Sequence, residues 1–496
     1  MTINSSNGAV AEVRLVTSSR GIRDGSHKWQ TDEKFSRQNG DVMYSGIPDN
    51  IAMSHESLLD TLYSSKVYAK IWNVASQALT KSQPPVLHPE YTKPGGTEYV
   101  YRELDFWTSG FFPGSLYLLL ERERRYKSTV LNWAPDTTIT PHQMQLEFAC
   151  KWWTVNLHQN AYLATTHDLG FMIFPWAQKA WELNRDQDAY DTIIQASETL
   201  ASRYVARVGA IRSWDTCITK RYAFTDPQKD FLLVIDNMMN LDMLFWAASE
   251  LNDKEMYQIA VNHARTTQQF HVRKDFSTTH LTVFDPDTGA LKSKLTNQGF
   301  NDNSSWTRGQ AWAIAGFMQT YNWTQDISFL ETAQSCADYF WGQLPANGIP
   351  LWDFNAPKDI QQPPDTSAAV VASYGMLLMH EALIGRNQPS AYFDRALHIL
   401  KGVCSIHLNM PDEFVVSLSK IDTAEMASDN SQHEVRVRHG NGIPETILGG
   451  ATINNYEFAP RRWANHGLVY ADYYFLLAGN KLLEMDSMES ATKNAI

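Results

Sequence analysis

From about residue 51 onward, apolar residues recur at i, i+3 and i+4 with polar residues between them, the pattern of helices that bury one face. The spacing predicts helices over 55–80, 113–127, 142–157, 170–184, 187–207, 229–251, 254–272, 309–322, 328–343, 367–386, 391–406 and 466–484. Connections between them are short or medium, and no linker divides the run. Several helices set small residues beside large rings, as in AQKAWEL (177–183), LFWAASEL (244–251) and AWAIAGF (311–317), which lets neighbouring helices approach closely. Such helices in antiparallel pairs predict an all-α fold, a single (α/α)6 barrel of about twelve helices over 51–496. Residues 1–50 are polar and aperiodic and read as an arm. Strand-like stretches are few: HLTVFDPDTG (280–289) and EFVVSLS (413–419) read as short hairpin loops on the helical body. Residues 420–462 form the longest segment without periodicity, a length that usually carries function.

Composition narrows the classes. The chain is 43% hydrophobic and 19% charged, enough for a large core and too apolar for a disordered protein. A net charge of −12 disfavours nucleic acid and anionic membranes as partners. Four scattered cysteines make neither a disulfide framework nor a metal cluster. No uninterrupted apolar stretch reaches the ~18 residues of a membrane span, and the N-terminus has no signal-like apolar core, so a cytoplasmic protein is expected. The 12% aromatic content, with 16 Trp, suits either a helical core or a sugar-stacking cleft.

Three segments depart from ordinary amphipathic helices. In TTHDLGF (165–171), Thr165 and Asp168 have capping-box spacing, so Asp168 reads first as a helix cap, with His167 beside it in a compact polar turn. In KDFLLVIDNMMNLDMLFWAA (229–248), Asp236 interrupts an apolar run, and no cation stands at i±3 or i±4. A buried carboxylate must be paired, protonated or wet, and desolvation is expected to raise its pKa toward the range of a general acid. In NQGFNDNSSWTRGQAWAIAGF (297–317), Ser304 or Ser305 reads as an N-cap. Arg308 then falls in the first turn, where the helix dipole repels a cation unless the guanidinium reaches an anion.

At these places the chain resembles the unsaturated glucuronyl hydrolases of glycoside hydrolase family 88. The matching pieces are DFWTSGFFPG, HDLGF, VIDNMMNL, HLTVFDPDTGAL, NQGFNDNSSWTRGQAW, PLWDFNAP, DTSAAVVASYGML and YADYYFL, in the family's order over about residues 100–480. The resemblance implies an (α/α)6 barrel and a reaction that hydrates the C4=C5 bond left on a terminal uronate by a polysaccharide lyase. The hemiketal so formed opens and expels the aglycone, so the carboxylate-separation rule of ordinary glycosidases does not apply. By the same resemblance Asp236 is the proton donor and water activator, and Asp168 the second essential acid. His167, Trp107, Trp214, His280, Gln298, Trp306, Arg308 and Trp312 would bind the sugar. No cofactor and no metal are implied, and the expected partner is an unsaturated uronate-terminated oligosaccharide, most simply a disaccharide.

Ser109 and Pro113 differ from bacterial relatives, and the leaving sugar stays open. Arg436, Arg438, His439, Arg461 and Arg462, in or beside the 420–462 segment, are candidates to read a sulfate or carboxylate there. Two other enzymes on the same barrel are alternatives: an unsaturated rhamnogalacturonyl hydrolase of family 105, and an N-acylglucosamine 2-epimerase-like isomerase, which relies on a histidine pair. A catalytically inactive sugar binder is disfavoured by the presence of both Asp168 and Asp236.

Overall fold

The computed structural model describes residues 53–420 and 431–494, so the 1–50 arm and residues 421–430 lie outside the described residues. Among the described residues, the helices run in chain order as α1 (His55–Tyr63), α2 (Ser65–Leu79), α3 (Phe111–Arg125), α4 (Lys127–Trp133), α5 (Gln143–Thr154), α6 (Leu169–Asn184) and α7 (Gln187–Ala201). They continue as α8 (Leu241–Leu251), α9 (Lys254–Phe270), α10 (Thr307–Thr324), α11 (Ile327–Gln343), α12 (Thr366–Gly385), α13 (Tyr392–His407) and α14 (Val469–Asn494). Helices α3, α6, α8, α10, α12 and α14 pack in sequence around a ring that closes from α14 back onto α3. Outside it, α5 covers α3, α7 covers α6, α9 covers α8, α11 covers α10 and α13 covers α12, with α1 and α2 against α14 and α3. This is the (α/α)6 barrel that the helical periodicity predicts.

Small residues bring the inner helices together. A Cβ on Gly375 of α12 would lie 3.0 Å from the Cα of Ala315 on α10, so the two backbones nearly touch at AWAIAGF. Helix α12 is 20 residues long with a mean hydropathy of 1.4, enough in length and composition to cross a membrane, contrary to the expectation that no segment qualifies. Its apolar character has another cause here: 67% of that window is buried, because α10, α13 and α14 surround it.

Two predicted helices come out differently. The first, 55–80, breaks at Ser64, which ends α1 and caps α2 by accepting the Lys66 N–H at 3.1 Å. The second, 229–251, is a strand at Phe231–Val234 and a 3₁₀ turn at Ile235–Asn240 before α8 begins. An unbroken apolar run such as FLLVI suits a buried strand as well as a helix, and here distant pairing decides. Phe231–Val234 aligns antiparallel with Leu281–Phe284, from Phe231 opposite Phe284 to Val234 opposite Leu281. Leu291–Leu295 adds the third strand. The expected hairpin at 413–419 is present as Glu413–Lys420 paired with Ser431–Arg438, so part of the supposedly irregular 420–462 segment is strand.

Candidate active site

Five of the six inner helices, α3, α6, α8, α10 and α14, bring their N-terminal ends to one pocket of about 420 Å³. Trp107 precedes α3, Asp168 is the N-cap of α6, Asp236 sits in the turn before α8, Trp306 is the N-cap of α10, and Tyr470 is in the first turn of α14. All five line the pocket, together with Trp214, Gln298, Arg308 and Trp312. Each helix N-terminus presents unpaired N–H groups and about half a positive charge, so their convergence favours an anion despite the acidic chain.

Asp236 owes its position to the sheet. Beyond Val234 the Ile235 N–H donates to the His280 carbonyl at 3.0 Å, so Asp236 and His280 leave neighbouring strands at the same end. Ser213 braces this junction: its Oγ accepts the Val234 N–H at 3.0 Å and the Asn237 side-chain amide at 3.2 Å. The 3₁₀ turn then presses on α6, where the Gly170 N–H donates to Asn240 Oδ1 at 2.8 Å. A Cβ on Gly170 would come within 2.7 Å of the Asn240 Cα. Gly170→Ala is therefore expected to destabilise the fold by about 1–3 kcal/mol, as overpacking does. It is also expected to slow turnover by parting the turn that carries Asp236 from the helix that carries Asp168. Urea denaturation checks this, and an unchanged midpoint would mean that the two backbones separate freely.

Asp168 is at the N-cap position of α6 but makes no capping hydrogen bond, and Thr165 plays no part. Its Oδ2 instead accepts the Thr166 hydroxyl at 2.6 Å, leaving Oδ1 to face His167 Nε2 at 3.3 Å. Asp236 Oδ1 lies 3.7 Å from the same nitrogen. The capping reading of Asp168 is thus replaced by a trio, with buried His167, 1% exposed, beneath two half-buried carboxylates. Burial pushes Asp168 up, only partly offset by His167, and its pKa is above the usual value. Burial pushes Asp236 up too, but the close approach of the His167 positive charge outweighs it, and the pKa lies below the ordinary carboxylate value. The expected upward shift of Asp236 is corrected by this partner, which comes from another helix entrance. The three side chains also offer one ligand atom each within 4.8 Å of one another, close enough to share a cation or a proton.

Two expected sugar contacts are placed elsewhere. His167 is not in the pocket wall but behind it, and His280 is 4% exposed between Trp214 and Trp306, its ring centroid 4.9 Å from that of Trp306. The Asn297 N–H donates to His280 Nδ1 at 2.9 Å, and burial lowers the ring pKa to about 4, so this imidazole is neutral with its proton on Nε2. Arg308 reaches a carboxylate, but one of the protein's own: Nη1 lies 2.8 Å from Asp365 Oδ2, with both side chains at most 3% exposed. Its remaining donors hold the Thr452 and Ile453 carbonyls and Gln298 Oε1, so Arg308 fixes Gln298 in the wall. Neither Ser304 nor Ser305 caps α10. Ser304 Oγ donates to Asp353 and Ser305 Oγ to Gln310, and Trp306 takes the N-cap position without a side-chain bond.

Of the basic residues in or beside 420–462, Arg461 alone lines the pocket, stacked over Trp463 at 5.3 Å. Arg436 and Arg438 are exposed on the hairpin and paired with Glu434 and Glu413. His439 is bonded to Asp412 and Arg462 to Asn455. Sequence reasoning missed Tyr91, Trp463 and Tyr470 in the wall, and the pair Glu90–Arg102, 3.2 Å apart, at its rim. Burial lifts Glu90 to about 7 against the pull of Arg102. The RRW at 461–463, two arginines beside a tryptophan, was the signal for this side of the pocket.

No family model matches the chain. It is 35% identical to an unsaturated glucuronyl hydrolase of Formosa agariphila over 279 residues, which are 55% of this chain and 63% of that protein's length. An unsaturated glucuronyl hydrolase of Bacillus sp. (strain GL1) is 30% identical over 285 residues, 57% of this chain and 69% of the relative. Among solved structures, an unsaturated glucuronyl hydrolase specific for heparin superposes with a TM-score of 0.67 at 27% identity, over 87% of this chain and 98% of that one. Shared sequence across more than two thirds of the Bacillus enzyme and a shared barrel lead to one conclusion: the chain belongs to the unsaturated glucuronyl hydrolase family.

Proposed function

We propose that this protein is a hydrolase that removes a terminal 4,5-unsaturated glucuronyl residue from oligosaccharides released by polysaccharide lyases. The observation that carries the reading is the pair Asp168 and Asp236 around one buried imidazole, at the floor of a tryptophan-walled pocket where five helix entrances meet. An enoate is flat and anionic. Trp107, Trp214, Trp306 and Trp312 supply ring faces for its plane, and the helix ends supply positive potential for its carboxylate.

In this mechanism Asp236 delivers a proton to C4, and a water adds to C5 while the same carboxylate takes the water's proton. One proton is given and one recovered, so the acid is restored. The C5 hemiketal opens, the glycosidic oxygen leaves with the aglycone, and one water is consumed per bond cleaved. Asp168 binds ring hydroxyls beside it. Because protonation makes C5 electron-poor at the moment water attacks, a positioned acid of this kind contributes about 10²–10⁴ in rate.

The test follows the ultraviolet absorbance of the conjugated enoate as the protein meets a panel of lyase-made unsaturated disaccharides and their saturated counterparts. Loss of absorbance with release of the second sugar, confined to unsaturated glucuronyl substrates, is the expected result. Loss only on unsaturated galacturonyl-rhamnose would overturn the glucuronyl reading. Silence on every unsaturated substrate would overturn the hydration chemistry itself.

A further inference from the structure

The two ring nitrogens of His167 have different duties, and the backbone decides which is which. Nδ1 lies 3.0 Å from the Ser213 carbonyl oxygen, which can only accept, so Nδ1 carries a hydrogen. That carbonyl is held in place: the Ser213 N–H is bonded to the Leu232 carbonyl, and Arg203 Nη2 donates to the same Ser213 oxygen at 3.2 Å. Nε2 is thereby aimed at Asp168 Oδ1 and Asp236 Oδ1, at 3.3 and 3.7 Å. Both Nε2 and Asp236 Oδ1 are buried and neither has a hydrogen-bond partner among the described residues. A neutral ring in this orientation would point the lone pair of a buried nitrogen at two carboxylates, with the facing Asp236 Oδ1 buried as well, which is costly. A proton between them removes the conflict.

We propose that His167 is a positioning residue that stores the reaction's proton on Nε2 in the free site and passes it to Asp236 Oδ1 when substrate fills the pocket. The inference rests on the functional reading above and adds the origin of the proton that Asp236 delivers. In the transfer the Nε2–H bond breaks and an Oδ1–H bond forms, and an imidazolium–carboxylate pair becomes a neutral pair. Substrate entry drives it, because displacing water from the pocket weakens the solvation of separated charges and favours the neutral form. When Asp236 takes a proton from the attacking water, the return transfer resets the trio.

The groups facing His167 agree with a single stored proton. Asp168 and Asp236 are the two anions against it, and they outweigh burial to hold its pKa above the usual imidazole value. Arg203, whose charge opposes this, is paired with Asp215 at 2.9 Å. The other buried histidines nearby are uncharged at neutral pH, His263 near 3 and His280 near 4, both through burial. The stored proton is lost as pH rises through the raised value of His167, so turnover is expected to fall on the alkaline side there.

The experiment is nitrogen-15 histidine NMR on the full chain without ligand, at pH 7, in wild type and in His167→Asn, where the amide nitrogen preserves the donor to Ser213. The expected result is one imidazole with both nitrogens protonated, absent from the variant. A neutral His167 at pH 7 would overturn the proposal whatever the turnover. In parallel, kcat against pH is expected to lose at least about 10-fold in His167→Asn, with KM within about threefold and the alkaline limb moved acidward by a unit or more. An unmoved limb would reduce His167 to a structural role. Should His167→Asn not fold, Asp236→Asn serves instead: removing the charge at Oδ1 is expected to lower the His167 titration, and an unchanged titration overturns the pairing. A protonated His167 in a protein inert to all unsaturated disaccharides would sink the functional reading alone.

Discussion

Asp236→Asn is expected to lower turnover of an unsaturated glucuronyl disaccharide by about 10³-fold or more, a barrier increase of roughly 4 kcal/mol. The amide has the shape of the carboxyl group but neither gives a proton to C4 nor takes one from water, so both halves of the hydration fail together. Affinity is expected to hold, because the Trp walls, Gln298 and the helix N-termini are untouched. Folding is expected to hold as well. Asp168 stays 3.3 Å from His167 Nε2 as its counter-ion, and the Ser213 hydroxyl contacts to Val234 and Asn237 that hold the turn do not involve the Asp236 side chain. Stopped absorbance with an unchanged KM and unchanged unfolding midpoint is the predicted combination. Turnover within tenfold of wild type would remove Asp236 as the acid, whatever the fold.

The barrel was legible in the chain because a helix such as α9 advertises itself locally: Met256, Ala260, His263, Ala264 and Thr267 recur at helical spacing on one buried face. The stretch 229–251 was not, since its first half is decided by Leu281–Phe284, a partner that no local window contains. Asp236 itself stood out as an acid in an apolar run, yet its charge state did not. Neighbours at i±3 and i±4 were the wrong place to look, as His167 arrives from the entrance of α6. Arg308 was legible as an arginine in need of an anion; that the anion is Asp365 of the next inner helix depends on ring closure. Arg436 and Arg438 illustrate the opposite error. Two arginines alternating along a loop resembled an anion reader, but alternation in a hairpin puts both on one face beside Glu434 and Glu413. Trp463 left little trace, because a ring on a loop has no period, and Tyr91 stands on the short strand Leu87–Thr92, which the pattern did not predict.

Asp365→Ala is expected to cost about 3–5 kcal/mol of stability, the largest effect predicted for any residue that does not touch the reacting bond. Asp365 is fully buried and holds two structures at once. Its Oδ2 pairs with Arg308 at 2.8 Å, and its Oδ1 accepts the Ser367 N–H and hydroxyl at the start of α12, as well as the Thr452 N–H. Truncation strands a guanidinium that is 3% exposed, and a buried charge without its counter-ion is the expensive outcome. The pocket suffers with the fold, because Arg308 fixes Gln298 and the carbonyls of Thr452 and Ile453. Pairing Asp365→Leu with Arg308→Met separates the two roles. With no charge left unpaired, the double variant is expected to recover much of the urea stability, less what the orphaned carbonyls cost. It is not expected to recover turnover, since Gln298 is no longer fixed. A single Asp365→Ala variant within about 1 kcal/mol of wild type would mean that water reaches Arg308 and that this ion pair does not hold the pocket wall.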